Sequence, residues 1–154
     1  MAFYFIDSSA LVKRYISETG SAWVSDLFDP IVNNEVFIAA ITGVEIVAAI
    51  TRRTRGGSIS ATHAAKACNQ FRNDLQTEYQ IIEITESIII SGMTLAQTYG
   101  LRGYDAVQLA AGCAVNVLCI ANSLPPMLFV SSDNELNLVA SSEGLIVENP
   151  NMHL

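Results

Sequence analysis

The sequence predicts an α/β protein: a central parallel sheet of four to five strands with helices on both faces, a three-layer α/β/α arrangement. Two observations predict it. Short apolar runs rich in aromatic and β-branched residues alternate with segments of helical period along the whole chain, the pattern of strand–helix–strand units. Apolar residues make up 51% of the 154 and charged residues only 15%, below the usual ~25%. Helices so poorly charged must bury much of their surface against a sheet or a second chain.

The elements follow in order. Phe3–Ile6 is an aromatic and β-branched run ended by Asp7-Ser8-Ser9, and reads as a strand. Helical text occupies residues 10–15 and again 19–28, where Trp23, Val24, Leu27 and Phe28 recur at helical spacing. Pro30 and Asn33-Asn34 end that segment. Residues 36–40 form a second strand, and 42–54 a helix closed by Gly56-Gly57. One long helix is expected over 60–79, a third strand over 81–84, and a helix over Glu86–Tyr99. The nearly all-apolar stretch 104–119 reads as a buried helix. After the Pro125-Pro126 loop come a strand at 127–130, a helix at 134–140 and a fifth strand at 145–147. No linker or internal repeat interrupts this, so residues 1–154 are expected to form one domain.

Several classes are excluded. The apolar content rules out disorder. The longest apolar stretch, residues 106–121, is broken by Gln108 and Asn116, so no membrane span of ~20 residues is expected. The start, MAFYFIDSS, lacks a basic segment, so a signal peptide is not expected. Three cysteines, Cys68, Cys113 and Cys119, lie in helical text; an odd number there reads as reduced core residues of a cytoplasmic protein. The net charge is −7, and residues 78–154 carry all of it, with eight acids against Arg102 alone. Such a balance opposes generic nucleic-acid binding, which rests on Lys and Arg. It fits a metal-loaded site or a basic partner.

In an open parallel sheet ligands bind beyond the carboxyl ends of the strands, and four acids fall there. Asp7 follows the first strand and Asp133 the fourth, while Glu45 and Asp105 each sit in a helix's first turn. Each also has a local reading: Asp7 as a helix cap, Thr42-x-x-Glu45 and Ser132-x-x-Glu135 as capping boxes with Asp133 a bystander, Asp105 as an acid favoured by a helix dipole. Glu45 and Asp105, however, head apolar segments, where an unpaired carboxylate costs several kcal/mol. A divalent cation with hard oxygen ligands removes that cost. No histidine is placed as a base; His63 and His153 read as surface residues.

The segments FYFIDSSALVKRY, TGVEIVAAI, LRGYDAVQLA and LFVSSDNELNLVA together resemble the PIN-domain family, and within it the VapC-type toxins of type II toxin–antitoxin systems. The resemblance spans nearly the whole chain. It implies a sheet of strand order 3-2-1-4-5, an endoribonuclease dependent on Mg²⁺ or Mn²⁺, an RNA substrate, a cognate antitoxin and a homodimer. By the same resemblance Asp7, Glu45, Asp105 and Asp133 are the catalytic and metal-holding acids. Ser9 matches a hydroxyl that steadies the first acid and Ser131 one that precedes the last. Arg102, Lys13 and Arg14 are candidates for contact with RNA or antitoxin. Two other readings stand beside it: a catalytically silent binding scaffold of the same fold, and an aspartate-based phosphatase. The second is weakened by Ser9, which stands where a dehalogenase-like phosphatase needs a second aspartate.

Overall fold

Along each strand of the sheet, side chains point alternately to the two faces, and the apolar residues sort accordingly. The computed structural model describes all 154 residues. Its strands are β1 (Phe3–Ile6), β2 (Glu35–Ala39), β3 (Gln80–Ile82), β4 (Leu128–Val130) and β5 (Ile146–Glu148), all parallel, in the order β3-β2-β1-β4-β5. The helices are α1 (Ser8–Leu11), α2 (Ser21–Asp26), α3 (Thr42–Arg55), α4 (Ala61–Thr77), α5 (Glu86–Tyr99), α6 (Gly103–Ala121) and α7 (Asn134–Ser142). A tight 3₁₀ turn, Val12–Arg14, continues α1.

Phe3, Phe5, Ala39 and Phe129 face one core with α5, α6 and α7. Ile6, Val36, Ile38 and Val130 face the other with α1, α3 and α4. The sheet is thus covered on both sides, which explains why its strands read as unbroken apolar runs. In the first core Phe5 stacks on Phe129 with ring centroids 5.7 Å apart. Gly112 lets α6 settle there: a Cβ on it would stand 2.9 Å from the Phe129 ring. Helix ends follow their caps. Ser60 and Thr85 accept backbone hydrogen bonds at the starts of α4 and α5, and Gly100 ends α5 in the left-handed conformation at φ 71°.

Four expectations change. The helix α6 is 19 residues long and, by length and composition, apolar enough to cross a bilayer; here its apolar stripe packs on the sheet and α5. Thr42 is the first residue of α3, whose cap position, Ile41, makes no side-chain cap bond, so the Thr42/Glu45 capping box does not form. At α7 the capping residue is Asp133 itself, accepting from the Leu136 N–H, and not Ser132. His153 is half-buried, stacked on Trp23 and 2.9 Å from Glu148, whereas His63 is exposed as expected.

Candidate active site

In this sheet order the chain leaves β1 toward β2 on one side and returns to β4 on the other. The switch point between β1 and β4 is where such sheets take ligands. Asp7 directly follows β1 there, and Ser131 directly follows β4. Asp7 is buried, 3% exposed. Its carboxylate accepts from the Ser9 hydroxyl (2.7 Å) and the Ala10 N–H (3.0 Å), so it also caps α1. Ser9 lies 3.3 Å from the Ser131 hydroxyl and accepts from the Ser132 N–H. These bonds tie the ends of β1 and β4 together.

The other acids arrive on helix N-termini aimed at the same edge. Glu45 is in the first turn of α3 and Asp105 in the first turn of α6; Asp133 caps α7. A cleft of about 570 Å³ is lined by Ser8, Ser9, Glu45, Arg102 and Asp105 among others. An adjoining recess of about 160 Å³ is lined by Arg102, Asp105, Asp133 and Glu135. Asp105 therefore stands between the two. Glu45 is held at both oxygens, by the Ser8 hydroxyl (3.1 Å) and by the Gln108 amide (2.7 Å).

The electrostatics of this edge are unfavourable as it stands. Burial pushes the Asp7 carboxyl up to about 6; hydrogen bonds from Ser131, Ser9 and Ala10 pull it back, and the Asp105 charge pushes further. Asp105 is raised too, by burial first, then by Asp133 and Glu45, with Arg102 opposing and Glu135 adding. The four helix N-termini offset part of this repulsion with their partial positive charge.

The donor set, carboxylates with serine hydroxyls, is the chemistry that Mg²⁺ and Mn²⁺ select, and the raised Asp7 and Asp105 are groups that a cation would relieve. No three acids stand in the positions around a single ion, however. Two of the acids are already held by neighbours: Glu45 by Ser8 and Gln108, Asp133 by the start of α7. The donor chemistry fits a hard divalent ion; the cage is not preassembled.

The basic residues divide. Arg102 is exposed, at the rim of both the cleft and the recess. Lys13 is buried and paired with Glu18 at 3.0 Å. Arg14 is half-buried, 3.7 Å over the Phe28 ring and bonded to Tyr79. Lys13 and Arg14, on the 3₁₀ turn that continues α1, thus have their charges engaged within the fold rather than at the rim. Sequence reasoning also missed three side chains that build the site. Ser8 and Thr42 looked like turn and cap residues, and Gln108 looked like an interruption of an apolar stretch. The signal for Gln108 was its position, one helical turn after Asp105 in text otherwise apolar.

The observed order β3-β2-β1-β4-β5 is the one that the resemblance to the PIN-domain family implies. The fold is shared by PAE2754 from Pyrobaculum aerophilum, with a TM-score of 0.63 and 18% identity over 95% of this chain and 83% of that one. It is also shared by a chain of a toxin-antitoxin complex from Klebsiella pneumoniae, with a TM-score of 0.61 and 18% identity over 96% of this chain and 97% of that one. No protein-family model matches the chain. In sequence it is 30% identical, over 115 residues, to Ribonuclease VapC45 of Mycobacterium tuberculosis (strain CDC 1551 / Oshkosh), covering 75% of this chain and 78% of that protein. Ribonuclease VapC49 of strain ATCC 25618 / H37Rv matches to the same extent. The chain belongs to the VapC family of PIN-domain ribonucleases.

Proposed function

We propose that this protein is the toxin of a toxin–antitoxin pair, an endoribonuclease that hydrolyses RNA phosphodiester bonds with Mg²⁺ or Mn²⁺. The observation that carries the reading is that Glu45, Asp105 and Asp133 line adjoining hollows at one edge of the sheet, with Asp7 buried beside them and sensing the Asp105 charge, in a chain similar to named ribonucleases. These four acids would hold the cation, which supplies an activated water and neutralises charge on the phosphate during in-line attack. Ser9 and the Ala10 N–H orient Asp7. The helix α6 starts without a side-chain cap, so its first N–H groups are open to a phosphate oxygen. Arg102 beside it, and Arg52 at the mouth of the cleft, bring positive charge to a chain that is acidic overall.

An antitoxin is the natural partner. A guanidinium that entered the acidic cleft would pair with carboxylates in a bidentate fashion and displace the cation. A second copy of the chain would cover apolar side chains that α5 and α6 leave exposed, among them Ile90, Met93, Val117 and Leu118; light scattering that finds a monomer at high concentration would contradict the dimer. The three free thiols accord with a reducing cytoplasm.

The deciding experiment incubates purified protein with structured RNA, with and without Mg²⁺ or Mn²⁺. Cleavage should need the ion and should fall to background in Asp7→Asn. Full-rate cleavage by that variant would move the activity elsewhere. A folded, ion-binding wild type that never cuts RNA would favour the silent scaffold.

A further inference from the structure

Gln108 is 1% exposed, in the second turn of the most apolar helix of the molecule. Its side-chain nitrogen has two hydrogens and uses both toward α3. One goes to the Thr42 hydroxyl at 2.8 Å and the other to the Glu45 carboxylate at 2.7 Å. Its carbonyl oxygen, also buried, has no partner. The opposite orientation of the amide would set that oxygen against the Glu45 carboxylate, so the charge fixes which way the group faces. A buried amide serving only the fold is normally satisfied at both ends. Here the carbonyl is left unpaired while both donors are directed at one acid and its neighbour. Thr42, itself fully buried, anchors the amide one turn of α3 from Glu45.

We infer that Gln108 is a positioning residue for Glu45: its amide, anchored on Thr42, holds the carboxylate toward the cleft, so that this acid meets a divalent cation with one oxygen already fixed. The Ser8 hydroxyl steadies the second oxygen from the end of β1. Gln108 and Asp105 lie one turn apart on α6, so a single helix presents one acid of the site and orients another. The inference rests on the metal-dependent reading above.

The test measures Mn²⁺ binding to the full-length protein by electron paramagnetic resonance or calorimetry, beside melting of the metal-free form. Gln108→Met, of similar volume with no donor, should weaken Mn²⁺ binding by about 10–100-fold, as losing such an orienting partner usually does. Gln108→His, which retains a ring N–H, should recover most of that loss. In a Glu45→Ala background, Gln108→Met should change affinity by no more than about twofold, because the residue through which it acts is gone. Gln108→Asn, whose amide stops one methylene short of Glu45, gives the same comparison if the methionine variant does not fold. Wild-type Mn²⁺ affinity in either folded variant would overturn the inference alone, even with a lowered melting temperature, since that would mark a structural role. A wild-type protein that binds no Mn²⁺ would overturn the metal-dependent reading and this inference together.

Discussion

Around Asp74 every charge faces its opposite; around Asp105 every carboxylate faces another. Both groups are partly or wholly withdrawn from water, within one small chain. In the first, Arg14 lies 3.6 Å from Asp74 and 3.5 Å from Glu78, over the Phe28 ring, and donates to Tyr79. Tyr15 donates to the other side of the same network, at Asp74, 2.7 Å away, and is hydrogen-bonded to Tyr79. Burial first, then Tyr79, pushes the Tyr15 phenol well above its ordinary range, so it stays a proton donor. Gln70 fills the remaining Asp74 oxygen. This network is complete without any ligand. The acidic edge is not, and its imbalance is what a bound cation or a partner's cationic side chain can relieve. Buried charge that is internally paired is complete within the fold; buried charge that repels its neighbours leaves room for a ligand of opposite sign.

The contrast can be broken most strongly at Asp74. Asp74→Ala leaves Tyr15 without its carboxylate acceptor and takes the nearest buried acid from Arg14, and should cost roughly 3–5 kcal/mol, read as a fall in melting temperature on the order of 10 °C. An unchanged melting temperature would dissolve the distinction. The next effect sharpens it. Saturating Mn²⁺ at about one hundred times its dissociation constant should stabilise the wild type by about 2.7 kcal/mol. Asp105→Asn should lose that gain in the same thermal scan.

Asp7→Asn should do the reverse of Asp74→Ala and stabilise the metal-free protein. The folded carboxyl is raised from 3.8 to about 6, so the folded state binds more protons than the unfolded one between those values. Wild-type stability therefore falls as pH rises through that window, by at most about 2–3 kcal/mol at ~1.4 kcal/mol per unit. The asparagine variant should be more stable at neutral pH and less dependent on pH across the window, the remaining slope coming from Asp105; urea midpoints at several pH values check both. The smallest effect is expected at Arg53, which pairs with Glu18 at 2.9 Å with a partly exposed side chain. Arg53→Ala should cost only ~0.2–1 kcal/mol, measurable by urea titration and insensitive to Mn²⁺.

Much of this was legible along the chain. Strand β1 coincides with its sequence-predicted bounds, because an aromatic run stops abruptly at Asp7. The bounds of the other strands move by one or two residues, since pairing with a neighbour decides where a ladder ends. The short helix expected over 19–28 shrinks to Ser21–Asp26, with Gly20 in the left-handed conformation fixing its start. The four acids stood out because each follows a strand or opens a helix. The pairing of Lys13 and Arg14 within the fold was not legible, because only packing reveals which side of a short turn faces inward.

What the order of residues determined by itself is therefore the alternation of strands and helices and the four acids that mark strand ends and helix starts, because periodicity and turn chemistry act over a few neighbours. What only the tertiary structure decided is which polar side chains meet. Gln108 reaches Glu45 across 63 positions, and Ser9 meets Ser131 across 122. Such contacts arise from the closing of the sheet, and a hydrogen bond a few ångströms long leaves no periodic trace in the text that encodes it.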